Sequence, residues 1–166
     1  DQALAFWEDH LRAGRRYAIV GGSDTHFLQR EHIAKLGTPT TFIHCEDDPS
    51  PAKLLDNLKR GHAFISDSPD GPQVYLSIDG RMVGETVTPQ GEQLIVDVQV
   101  IAGKNTTLQL YNQNGMALEQ SVDSDDWRQQ ITLPAQDLDY VRAQISGDVE
   151  GEHRVRALTN PIFVAQ

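Results

Sequence analysis

Leu94-Ile95-Val96-Asp97-Val98-Gln99-Val100-Ile101 is the stretch on which the fold turns. From Val96 onward apolar and polar residues alternate, so one face of an extended chain is greasy and the other wet, the signature of a half-buried strand. The same period of two runs through 73–78, 106–111, 117–122, 130–133, 140–145 and 154–157. Turn-forming residues separate these segments at Asp79-Gly80, Gly103-Lys104-Asn105, Asn114-Gly115 and Ser146-Gly147-Asp148. Asn114-Gly115 between two alternating runs is a strong hairpin signal. Ile162-Phe163-Val164 closes the series as an edge strand, where Pro161 is tolerated. Short strands at this spacing predict an all-β, immunoglobulin-like sandwich over residues 73–166.

Upstream the pattern changes. Leu4, Trp7 and Leu11 recur at helical spacing and Gly14 follows, which predicts an amphipathic helix over 2–13. Tyr17-Ala18-Ile19-Val20 is apolar throughout and runs into Gly21-Gly22, the form of a strand buried between the layers of a parallel sheet. Thr40-Thr41-Phe42-Ile43-His44 and Ala63-Phe64-Ile65-Ser66 are two more strands. Between them Ser50 and Pro51 open a helix with Leu54, Leu55 and Leu58 on one face, which Gly61 ends. Residues 1–72 therefore read as a partial α/β unit and 73–166 as a β-sandwich, divided at Ser66-Asp67-Ser68-Pro69-Asp70-Gly71-Pro72. The chain as a whole is an α+β protein in two parts. Three strands and two helices cannot cover both faces of a parallel sheet, so the first part is expected to belong to a larger fold.

The 166 residues carry 24 acidic and 14 basic side chains, a net charge of −10. That balance repels phosphate backbones and anionic lipid, and argues against nucleic acid or a membrane as partner. No apolar run is long enough to span a bilayer. A lone cysteine, Cys45, excludes a disulfide-stapled fold and leaves the compartment of this soluble chain, cytoplasmic or periplasmic, open.

Chemistry concentrates in Gly21-Gly22-Ser23-Asp24-Thr25-His26, at the end of the first apolar run. Residues i and i+2 of an extended segment point the same way, so the Asp24 carboxylate and the His26 imidazole can meet at one divalent metal ion. That donor pair suits zinc, manganese and iron alike. Ser23 or Asp24 could equally cap a helix. Gly-x-Ser-x-Gly, the nucleophile-elbow pattern, fails at Thr25. His32 lies in a polar linker, His44 and Cys45 point to opposite faces of a strand, and Glu46-Asp47-Asp48, like Asp123, Asp125 and Asp126, reads as a solvated turn. Trp7 and Trp127 read as core.

Taken together, Gly-Gly-Ser-Asp-Thr-His (21–26), Leu-Gly-Thr-Pro-Thr-Thr (36–41), residues 54–66 and Ala157-Leu158-Thr159-Asn160-Pro161-Ile162-Phe163-Val164 resemble the last part of PHP-domain metallohydrolases, in particular the carbaryl-hydrolase-like branch. The resemblance implies a distorted β/α barrel holding two or three metal ions, with hydrolysis of phosphoesters, carbamates or other small-molecule esters. It makes Asp24 and His26 metal ligands. The family's His-x-His motif and its intermediate His and Glu ligands would precede this segment, so the chain alone is expected to be inactive. A binding module for carbohydrate or protein is the alternative. Exposed strands at Tyr17-Ala18-Ile19-Val20 and Phe42-Ile43 are expected to favour a homodimer.

Overall fold

The computed structural model describes residues 2–26, 35–46 and 49–166. Its elements in chain order are α1 (Gln2–Arg12), β1 (Thr40–Ile43), α2 (Pro51–Arg60), β2 (Ala63–Ser66), β3 (Gln73–Ile78), β4 (Arg81–Met82), β5 (Thr86–Val87), β6 (Gln93–Ile101), β7 (Thr106–Asn112), β8 (Gly115–Val122), β9 (Asp126–Pro134), β10 (Tyr140–Val149), β11 (Glu152–Thr159) and β12 (Ile162–Val164). Among the described residues two mostly antiparallel sheets face each other as a β-sandwich, with two short helices. One sheet runs β4-β3-β6-β9; the other runs β1-β2-β11-β10-β12-β5, with β7 and β8 branching from β10.

The alternation in the sequence becomes the interior. Leu94, Val96, Val98 and Val100 of β6 pack with Val74, Leu76 and Ile78 of β3 against Leu108, Leu110, Ala143, Ile145 and Ala157 of the facing sheet. Trp127, opposite Val100 in the ladder, belongs to the same core. The expected hairpin is present, with Asn112 paired to Gly115 across a two-residue loop.

β10 departs from the half-buried strand that its sequence predicts. Eight consecutive residues, Tyr140 to Gly147, are buried. Val141, Ala143 and Ile145 point into the sandwich, while Tyr140 joins Trp7, Leu11, Ile65 and Leu158 in a second apolar cluster on the sheet's outer face. α1 lies over that face and makes a third layer. Arg142, 1% exposed, also points outward, and its guanidinium sits 4.2 Å above the Tyr111 ring. Its Nη2 donates to the Glu8 carboxylate of α1, and its Nη1 donates to Gln144 Oε1 at 3.2 Å.

Two expectations for residues 1–72 are corrected. β1 and β2 are antiparallel, Thr40 opposite Ser66, and β2 in turn pairs antiparallel with β11. A parallel sheet is therefore absent from this part among the described residues, and one sheet spans both sides of Pro72. Second, Tyr17-Ala18-Ile19-Val20 joins no ladder, and Tyr17 and Val20 are both 53% exposed rather than buried. Side chains supply what a neighbouring strand would have supplied, as the next subsection describes.

α2 follows its signals. Ser50 Oγ accepts from the Lys53 N–H, Pro51 opens the helix, and Gly61 at φ +77° ends it. The following residue, His62, bonds through its backbone to Asn57 and to His44. Burial, opposed by Glu85, holds the His62 imidazole below its ordinary pKa. Folding therefore favours neutral His62: its contribution is complete above the unfolded-state pKa of about 6.5 and is lost as pH falls through the lower folded value. Replacement by glutamine is expected to flatten this part of the stability–pH profile, measured by urea titration at pH values either side of that range.

Candidate functional site

The segment that carries Asp24 and His26 is a strap over the outer face of β1 and β2. Asn160, wholly buried, accepts from the Ile19 N–H at 2.8 Å and donates to the Ile19 carbonyl at 3.1 Å and to the Ala63 carbonyl at 3.0 Å. The Thr41 hydroxyl does the same two residues on, accepting from the Gly21 N–H at 2.8 Å and donating to the Gly21 carbonyl at 2.9 Å. Trp7 Nε1 donates to the Tyr17 carbonyl at 2.7 Å. A residue whose N–H and C=O both point to one side is extended, so the strap has strand geometry without a ladder. Exposure agrees: from residue 18 to 26 exposed and half-buried positions alternate.

Gly21 allows the close approach. A Cβ there would sit 2.8 Å from Ile65 Cγ2 and 3.0 Å from Pro39 Cγ. Gly21→Val is expected to lift the strap and destabilise the protein by about 1–3 kcal/mol, as overpacking of a tight contact does; thermal unfolding would read the loss, with faster amide exchange at Ile19.

Asp24 and His26 both project from the strap to solvent. His26 Nε2 lies 3.7 Å from Asp24 Oδ1, with the imidazole 80% and the carboxylate 100% exposed. Asp24 adopts a left-handed backbone, φ +50°, which an aspartate tolerates better than most residues. The structure thus brings this pair together, open on one side. Among the described residues no third histidine, cysteine or carboxylate joins them, and no group of three such residues is placed to share an ion. The donor chemistry fits part of a divalent metal's coordination sphere, not all of it.

His44 and His153 each face one carboxylate. His44 Nε2 is 3.7 Å from Glu46, and His153 Nδ1 is 3.0 Å from Asp148. His10 stacks edge-on against Phe6 and Tyr17. His32, Asp47 and Asp48 lie outside the described residues.

Beside the strap is a groove of about 950 Å³. Leu4, Ile19, Val20 and Pro39 wall it, and Val155, Gln109, Gln144 and Ser146 are among its floor residues. Its polar floor is already knitted: Gln144 Nε2 and Ser146 Oγ both donate to Gln109 Oε1, each at 3.1 Å. At one end Arg156 Nε donates to Asp67 Oδ2 at 2.7 Å. The sequence pattern marks Asp24 and His26 but not Asn160 and Thr41, which anchor the strap that carries them. The polar pair Thr159-Asn160 between Ala157-Leu158 and the apolar run 161–164 was the available sign of Asn160.

Comparison with family models, curated proteins and solved structures gives no match.

Proposed function

We propose that the chain is the carboxyl-terminal part of a PHP-like metal-dependent hydrolase, acting on phosphoesters, carbamates or related small esters. Residues up to about 72 would close the catalytic barrel while their β1 and β2 continue the larger sheet of the immunoglobulin-like sandwich that the remainder forms. The observation that carries this reading is the Asp24–His26 pair, 3.7 Å apart and presented to solvent at the end of an extended strap. Asp24 Oδ1 and His26 Nε2 would contribute two ligands, and polypeptide outside the described residues would contribute the others. When bound there, a divalent ion supplies Lewis-acid polarisation and an activated water. The chain's own part is to hold the two donors: Asn160 and Thr41 fix the strap, and Gly21 lets it lie close to Ile65.

Two ligands bind a metal weakly, since affinity comes from several donors held together. Titration of this chain with manganese(II) is expected to broaden the NMR signals of residues 23–26 first. Asp24→Ala and His26→Ala should each abolish that broadening. First broadening at His44 and Glu46, or at Asp148 and His153, would overturn the assignment. The chain alone is expected to hydrolyse no model phosphoester above background with added manganese or zinc.

A second reading, a carbohydrate-binding module, rests on the outer face of the four-stranded sheet. Tyr75, 44% exposed, stands there beside Ser77, Asp97, Gln99, Arg128 and Gln130 around a depression of about 420 Å³. Several of these polar groups are already engaged: Gln130 Nε2 donates to Asp97 at 2.9 Å, and Gln99 Nε2 donates to Asp126 at 2.7 Å. Shifts of Tyr75 and Gln99 signals on adding neutral oligosaccharides would favour this reading over the first.

A further inference from the structure

The strap satisfies the backbone on one side only. Tyr17, Ile19 and Gly21 bond inward to Trp7, Asn160 and Thr41. Ala18, Val20 and Gly22 therefore turn their N–H and C=O groups the other way, where no hydrogen-bond partner stands among the described residues. Exposed apolar side chains flank this row: Phe6 is 65% exposed, Tyr17 53% and Val20 53%. An extended, unpaired, apolar edge is a template for another strand.

We propose that the occupant is a second copy of this chain, paired antiparallel about Val20. In that register Ala18 lies opposite Gly22 of the second copy, Val20 opposite Val20, and Gly22 opposite Ala18. The three pairs exchange about six backbone hydrogen bonds, because each is of the type in which both residues donate and accept. Charge selects the direction. The segment opens with Arg15-Arg16 and ends near Asp24, so antiparallel pairing sets the basic start of one copy toward the acidic end of the other, whereas parallel pairing sets like against like. Arg16 keeps its local place, donating to Thr86 Oγ1 at 2.8 Å with its guanidinium 4.2 Å above Phe163, and acts on Asp24 of the second copy as a neighbouring charge. The two Asp24 residues stand about eight positions apart along the ladder, roughly 26 Å at 3.3 Å per residue, so the pairing neither completes nor uses the metal site. It does not rest on the hydrolase reading. With each copy at −10, long-range repulsion keeps the dimer weak and sensitive to dilution.

Sedimentation velocity on the intact chain is expected to show a dimer that dissociates on dilution. Val20→Pro, which removes the central N–H without touching an internal bond, should give a monomer of native circular dichroism. In a Cys45→Ser background, Val20→Cys should cross-link to a covalent dimer under mild oxidation, since the two sulfurs meet on the twofold axis, whereas Ala18→Cys should not. A wild-type chain that stays monomeric at millimolar concentration overturns the proposal. So does a dimer that survives Val20→Pro, or one in which Ala18→Cys cross-links as readily as Val20→Cys.

Discussion

Glu8→Ala is expected to destabilise the protein by about 3–5 kcal/mol, the cost of leaving a buried charge without its counterion. Arg142 is 1% exposed, and Glu8 is the carboxylate that meets its guanidinium. Arg142 Nε has no hydrogen-bond partner among the described residues, so beyond Gln144 and the Tyr111 ring the head group has little to fall back on. Urea unfolding of wild type and variant measures the difference. The double variant Glu8→Leu/Arg142→Met should recover much of the loss, because removing both charges costs far less than orphaning one. If the single variant were nearly neutral, water must reach Arg142, and α1 would be a loosely attached layer rather than part of the core.

Asn160→Ala is expected to cost about 2–4 kcal/mol, since it deletes three side-chain hydrogen bonds and strands the Ile19 N–H and carbonyl. Asn160→Asp separates shape from chemistry. The carboxylate can still accept from Ile19, but it sets negative oxygen against two carbonyls. A buried, unpaired carboxylate has a raised pKa, so this variant should gain stability as pH falls, while Asn160→Ala should not. Amide exchange at Ile19 and Gly21 would report whether the strap has come free. If it has, manganese broadening at Asp24 and His26 should spread over neighbouring residues, because the two donors no longer share a fixed platform.

These two positions also mark where the sequence stops being legible. The alternation of 94–101 and the Asn114-Gly115 turn are local signals, and they placed β6 and the β7–β8 hairpin within a residue or two. Burial of β10 on both faces was invisible because the covering groups lie far away in the chain: polar Arg142 reads as solvent-facing until Glu8 and Trp7 are known to meet it, and Gln144 and Ser146 until Gln109 is. The two-residue strands β4 and β5 carry too little pattern to be read. Tyr17-Ala18-Ile19-Val20 has strand composition and strand geometry, yet no ladder, since one amide side chain and one hydroxyl replace the neighbouring strand. Asp24 and His26 are singled out by the i, i+2 rule, although Asp24 itself is left-handed rather than extended. Their openness to solvent depended on how the strap lies across the sheet, which spacing does not encode.

The contact between Glu8 and Arg142 joins residues 134 apart, and that between Ile19 and Asn160 joins residues 141 apart. On a ribosome the helix and the strap emerge more than 130 residues before their anchors. Until Tyr140, Leu158 and Asn160 have been made, Trp7, Leu11 and Ile19 lack most of the surface they settle on, so this stretch stays available to chaperones over that interval.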